Sequence, residues 1–151
     1  MKPQPATNLP QTAANHFKNG YNCAQSVLLA MHEHYGNKPN EIIPKIASAF
    51  GGGIGRCGNL CGALTGAIMA ISLEHGTNEP GMEKREKAST QAQHFYKQFT
   101  EHFGTPYCRE LIGYDLIDPQ QLKKAQELKV FDEKCTQFVE KTIELLLHLE
   151  E

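Results

Sequence analysis

Apolar residues recur along this chain at intervals of three and four, and no two alternating runs flank a hairpin turn. The pattern predicts an all-α protein: one helical bundle of about six to eight helices in a single domain, with residues 1–8 loosely attached. A first helix is expected over about 9–19, stopped by Gly20. The next opens on Asn22 as N-cap and runs through CAQSVLLAMHEHY to Gly36. NEIIPKIASAF reads as a third helix, with Pro44 near its first turn, ending in a glycine run.

Asn59 can cap a fourth helix, LCGALTGAIMAISLEH, which is uncharged from Leu60 to Leu73 and closed by Gly76. A helix that is apolar all round belongs at the centre of a bundle. Gly62, Gly66 and Ala70 lie four apart on one of its faces, with Ala63 and Ala67 beside them. Each interior glycine costs about 1 kcal/mol relative to alanine, so the pattern points to a neighbouring helix in close approach. Residues 82–103 form a long amphipathic cover carrying Phe95, Phe99 and Phe103 on one stripe. TPYCRELIG starts a short helix with Thr105 as cap and Pro106 at its first position, ending at Gly113, and DPQQLKKAQEL repeats that grammar with Asp118 and Pro119. The last helix, from about Phe131, presents Phe131, Cys135, Phe138, Thr142, Leu145 and Leu149 inward.

At 151 residues the chain can bury a core without covalent staples. A net charge of −2 with scattered lysines and arginines excludes the basic stripe of a nucleic-acid binder. No signal peptide or segment long enough to span a bilayer is found, so membrane insertion is not expected and the chain reads as cytoplasmic. Its five cysteines are then expected to be thiols, metal ligands or redox groups, not permanent bridges.

Three of the five fall at helix starts: Cys23 directly after Asn22, Cys61 two residues after Asn59, and Cys108 three after Thr105. Unpaired amides and the positive end of the helix dipole lower a thiol pKa there. Cys61 is the first choice for a reactive thiolate, with Cys57 or Cys23 as the thiol that resolves it. Cys135, mid-helix on an apolar stripe, reads as packed and inert when taken alone. The bland account of all five is that they are small core residues in a non-catalytic helical module, with or without a structural metal. The spacings match neither zinc knuckles nor ferredoxin runs, and there is no C-x-x-C, so any shared site must be assembled by tertiary contact.

NCAQSVL, GGGIGRCGNLCGALTGAIMA, YCRELIG and the terminal KC together resemble the C_GCAxxG_C_C family of redox-active proteins, over about Asn22 to Val139. Cys61, Gly62, Ala63 and Gly66 meet its central motif; Cys23, Cys108 and Cys135 correspond to its other cysteines, and Cys57 falls outside the pattern. The resemblance implies a small helical protein whose cysteines do redox work, as a thiol-dependent or iron–sulfur oxidoreductase. In the thiol version cysteines cycle through a disulfide; in the metal version Cys23, Cys61, Cys108 and Cys135 hold an iron–sulfur cluster or another metal. A similar domain accompanies haem domains in split-Soret-type cytochromes, but the haem-attachment motif C-x-x-C-H is absent here. A redox partner or small-molecule substrate is implied but not identified, and a homo-oligomer is open.

Competing motifs are weaker. Gly53, Gly55 and Gly58 satisfy G-x-G-x-x-G, with Glu74 near the distance of a ribose-binding acid, but the flanking segments read as helices, so no nucleotide is expected. No Gly-Lys-Ser/Thr closes a P-loop. A small anion at the start of the Cys61 helix is a further candidate, with Arg56 as charge partner and Gly58 and Gly62 beside it. The seven histidines form no H-E-x-x-H; His32 and His34 read as surface residues, and His75 as a complement to a helix C-terminus.

Overall fold

A computed structural model of the chain describes residues 8–150; the loose attachment expected for the N-terminus lies mainly outside them. The described residues form eight α-helices and no β-strand. They are α1 (Leu9–Lys18), α2 (Cys23–His34), α3 (Ile42–Ile46), α4 (Gly62–His75), α5 (Met82–Phe103), α6 (Cys108–Ile112), α7 (Pro119–Glu127) and α8 (Thr136–Glu150), with a π-helical turn at Phe131–Cys135 before α8. None is long and apolar enough to cross a membrane.

The uncharged α4 lies in the middle, as its composition requires, against α2, α5 and α8, and α1 packs on α2 and α8. Gly62, Ala63, Leu64, Gly66, Ala67, Ala70 and Ile71 are all buried. A methyl group on Gly66 would stand 2.6 Å from the Ala24 carbonyl oxygen and 3.0 Å from its Cα, so the backbones of α2 and α4 touch there. The polar α5 buries only Phe95 and Phe99. Phe99 meets Phe103 at 4.6 Å between ring centroids, and Phe103 meets Phe138 of α8 at 5.3 Å.

The buried residues fall into two clusters. The larger joins α1, α2, α4, α5 and α8 and includes Cys61, with Cys23 packed against it. The smaller is built from Cys108, Ile112, Leu116, Ala125 and Val130, with Cys135 packed against it, and the half-buried Phe138 packs against both.

Several boundaries depart from the sequence pattern. The third helix covers only Ile42–Ile46, and residues 47–50 continue as turns closed by bonds between residues three apart. Asn59 does not cap α4: its side chain accepts from Leu60 N, and Cys61 is the N-cap. α6 starts at Cys108, not Pro106, with Tyr107 as its N-cap and the Thr105 hydroxyl accepting from Tyr107 N. The face of α8 that is fully buried is Val139, Thr142, Ile143 and Leu146, about one residue round from the expected stripe. His32 is no surface residue: it is buried, with Nε2 2.9 Å from the Lys38 carbonyl. His34 and His75 pair with Glu150 and Glu74.

Gly66→Ala tests the α2–α4 contact. Alanine is the better helix former by about 1 kcal/mol, yet the clash with Ala24 should outweigh this and leave a net loss of about 1–3 kcal/mol. Thermal melts should show a Tm lower by roughly 2–12 °C, whereas an unchanged or raised Tm would mean that the two backbones can part freely.

Candidate functional site

Residues 22–25 lock the start of α2 to the chain ahead of the glycine loop. Asn22 and Gln25 form a reciprocal capping box, with Gln25 N donating to Asn22 Oδ1 at 2.8 Å and Asn22 N donating to Gln25 Oε1 at 3.0 Å. The amide groups of the same two side chains donate to the carbonyls of Ser48 and Pro44, at 3.0 and 2.9 Å. Cys23 is thereby fixed as the first residue of α2, directly below the loop.

The loop itself is a left-handed turn. Five successive residues, Gly52 to Arg56, have φ between +55° and +73°, including the non-glycines Ile54 and Arg56. Left-handed geometry costs about 1–2 kcal/mol for each residue that carries a Cβ, and a β-branched residue there is an outlier. The turn is held by wide-span bonds: Gly55 N to Ala49 O at 2.8 Å, Gly58 N to Gly52 O at 3.1 Å and Asn59 N to Gly53 O at 2.9 Å.

Beyond the turn, residues 58–61 pair antiparallel with 106–109. Cys61 N donates to Pro106 O at 2.8 Å, Cys108 N to Asn59 O at 2.7 Å and Arg109 N to Gly58 O at 3.1 Å, around an isolated bridge between Leu60 and Tyr107. This pairing brings Cys108 beside Cys61 although 46 residues separate them in the chain. The motif glycines leave the necessary room. A methyl on Gly53 would stand 2.7 Å from Cys108 Cβ, and one on Gly62 would collide with Cys23 Sγ.

Cys135 closes the π turn that follows Lys129, itself at φ +56°. A π turn is rare and concentrates at functional sites. It brings Cys135, which the periodicity alone reads as an inert core thiol, to the wall of a cavity.

That cavity, of about 550 Å³, lies between the two buried clusters. Cys23 and Cys61 line it from the larger cluster, and Cys108 and Cys135 from the smaller. Cys57 is exposed and does not line it. Arg56 and Gly62 line it, whereas Gly58 packs outside against the Arg109 side chain.

The expected lowering of the thiol pKa values at helix starts is overturned. Cys23 and Cys108 open α2 and α6, and Cys61 caps α4, but burial outweighs the dipoles. It pushes the Cys23 thiol up, while the backbone amides of Gly52, Ala24, Cys23 and Gly62 pull the other way without overcoming it. Burial and then repulsion from Cys23 raise Cys61, against the amides of Leu64 and Ala63. The same two causes push Cys108 up to about 12. Burial followed by repulsion from Cys23, Cys61 and Cys108 raises Cys135, which Lys134 offsets only in part. The four thiols are thus close enough to be electrostatically coupled, which sequence spacing did not signal. Among the described residues no group of three or more His, Cys, Asp or Glu side chains converges as metal ligands.

Residues 21–149 match the model of the family described as "Putative redox-active protein (C_GCAxxG_C_C)". A protein of Archaeoglobus fulgidus, described as an uncharacterized protein, is 31% identical over 115 residues, covering 71% of this chain and 76% of its own length. No solved structure matches the chain.

Two measurements follow from the raised thiols. At pH 7.5 iodoacetamide should label exposed Cys57 first and Cys61 and Cys108 at least about tenfold more slowly, with their rates climbing as pH rises past about 9; equal labelling of all five would contradict the burial. The folded state also retains thiol protons that an unfolded chain releases near pH 8.5. Above that pH the folded state binds more protons than the unfolded one, so stability must fall as pH rises. Under reductant, Tm should therefore decline above about pH 8.5, and less steeply in Cys108→Ala than in the parent.

Proposed function

The chain belongs to the C_GCAxxG_C_C family, and from that membership and its thiol-lined cavity we propose that it is a dithiol redox protein that reduces a disulfide acceptor. The observation that carries this reading is the approach of two thiols from each buried cluster to one cavity. Cys23 takes the nucleophile's part in preference to Cys61, because its sulfur is faced by the amides of Gly52, Ala24, Cys23 and Gly62, which stabilise the thiolate once formed. Cys61 resolves it, since Cys23 Sγ packs against Gly62, the residue next to Cys61.

The chemistry is thiol–disulfide exchange. Deprotonated Cys23 attacks one sulfur of the acceptor disulfide; that S–S bond breaks, a mixed disulfide forms, and the released thiolate takes up the proton that Cys23 lost. Cys61, deprotonated in turn, attacks Cys23 Sγ and frees the second half of the acceptor as a thiol. Two electrons and two protons pass to the acceptor, and the protein is left with a Cys23–Cys61 disulfide. Cys108 and Cys135 stand across the cavity, and the Cys108 sulfur adds to the rise of the Cys61 thiol. Cys57 takes no part.

Thiol titration and peptide mapping after mild disulfide treatment test the reading. The protein should lose two thiols, link Cys23 to Cys61, and recover both with a dithiol. Cys57→Ala should behave like the parent, and Cys23→Ala should lose the reaction. Failure of every cavity thiol to oxidise, or stoichiometric iron and sulfide in anaerobically purified protein, would overturn the dithiol proposal.

A further inference from the structure

The walls of the cavity restrict what can reach its thiols. Cys61 and Cys108 are only 5% and 7% exposed. A disulfide on a folded protein surface cannot approach sulfurs held that deep, but a small molecule can, and about 550 Å³ is within the roughly 300–1,000 Å³ of small-ligand pockets. The inner wall is apolar: Leu111, Ile112, Leu116, Leu122, Phe131 and Phe138. Its outer edge is made of exposed residues, among them Ser48, Gly55, Arg56 and Gln126.

Arg56 is the one charged side chain on that wall among the described residues. It is exposed and forms no ion pair with any described residue, in a chain whose net charge is −2. It also occupies a backbone position, φ +65°, that glycine would fill with less strain. A lone guanidinium at the mouth of an otherwise uncharged cavity is a receptor for an anionic group.

We propose that the cavity admits a small organic disulfide carrying a negatively charged group, with Arg56 holding the charge at the mouth while the sulfur–sulfur bond reaches the buried thiols. This rests on the dithiol reading above and names its acceptor. The balance is that of the exchange already described: the S–S bond of the small molecule breaks, a protein S–S bond forms, and the two cysteine protons leave on the two small thiols.

Single-turnover oxidation of the reduced protein separates this proposal from the reading on which it rests. Three small disulfides of similar size serve as probes: dithiodipropionate, which is anionic, neutral hydroxyethyl disulfide and cationic cystamine; a folded protein with a surface disulfide is the fourth. The anionic probe should react about tenfold faster than the neutral one, the cationic probe more slowly than either, and the protein disulfide slowest. The advantage of the anion should shrink with added salt. Arg56→Gly, which relieves the backbone and should keep or raise Tm, should abolish that advantage, so that the ratio of anionic to neutral rate falls to about one, and Arg56→Lys should retain most of it. If neither the anionic nor the neutral probe oxidises the cavity thiols, the dithiol reading is wrong. If the neutral probe reacts but charge makes no difference, Arg56→Gly has no effect, or the protein disulfide is as fast as the small ones, the anionic-substrate proposal is wrong.

Discussion

The close contact of the α2 and α4 backbones is the constraint on which the rest of the molecule depends. It exists because Gly66 has no side chain where Ala24 passes, and because Gly62 leaves the space that Cys23 Sγ occupies. Larger residues at either position would drive the helices apart, open the centre of the main buried cluster and separate Cys23 from Cys61. The glycines therefore lower the intrinsic helix propensity of α4 in return for a geometry that no better helix former permits. With the first ten residues of α4 buried or half-buried, tertiary packing supplies the stability that its glycines withhold.

A second constraint acts across the cavity. The short antiparallel pairing of residues 58–61 with 106–109 ties the larger cluster to the smaller one and carries Cys61 and Cys108 on its two strands of chain. The left-handed turn before it reverses the chain within a few residues, so the backbone leaves α3 and re-enters the centre of the bundle at Cys61. Strain in Ile54 and Arg56 is tolerated because wide-span backbone bonds enclose the turn.

Electrostatically, the site keeps its thiols in reserve. Backbone amides face the Cys23 and Cys61 sulfurs, yet removal from water raises all four cavity thiols, and repulsion from neighbouring sulfurs adds to the rise at Cys61, Cys108 and Cys135. Such thiols resist indiscriminate oxidation, since thiolate fraction and access both govern attack. In the reaction proposed above they would respond to a molecule that enters the cavity, with selectivity set by shape and by the Arg56 charge.

The sequence by itself determined the helical class, the central place of α4, the capping of α2 by Asn22 and of α7 by Asp118, and the four cysteines of the family pattern. These are local or periodic properties: an uncharged run must be buried, a cap acts within a turn, and small residues four apart make one face. Only the tertiary structure decided that Cys61 itself caps α4, that a π turn delivers Cys135 to the cavity, that the four thiols are electrostatically coupled, and that burial reverses the effect of the helix starts on thiol pKa. Each depends on neighbours remote in the chain. The Pro106 carbonyl that fixes Cys61, the Gly52 amide that faces Cys23 and the second buried cluster that shuts out water have no signature in the residues beside the cysteines.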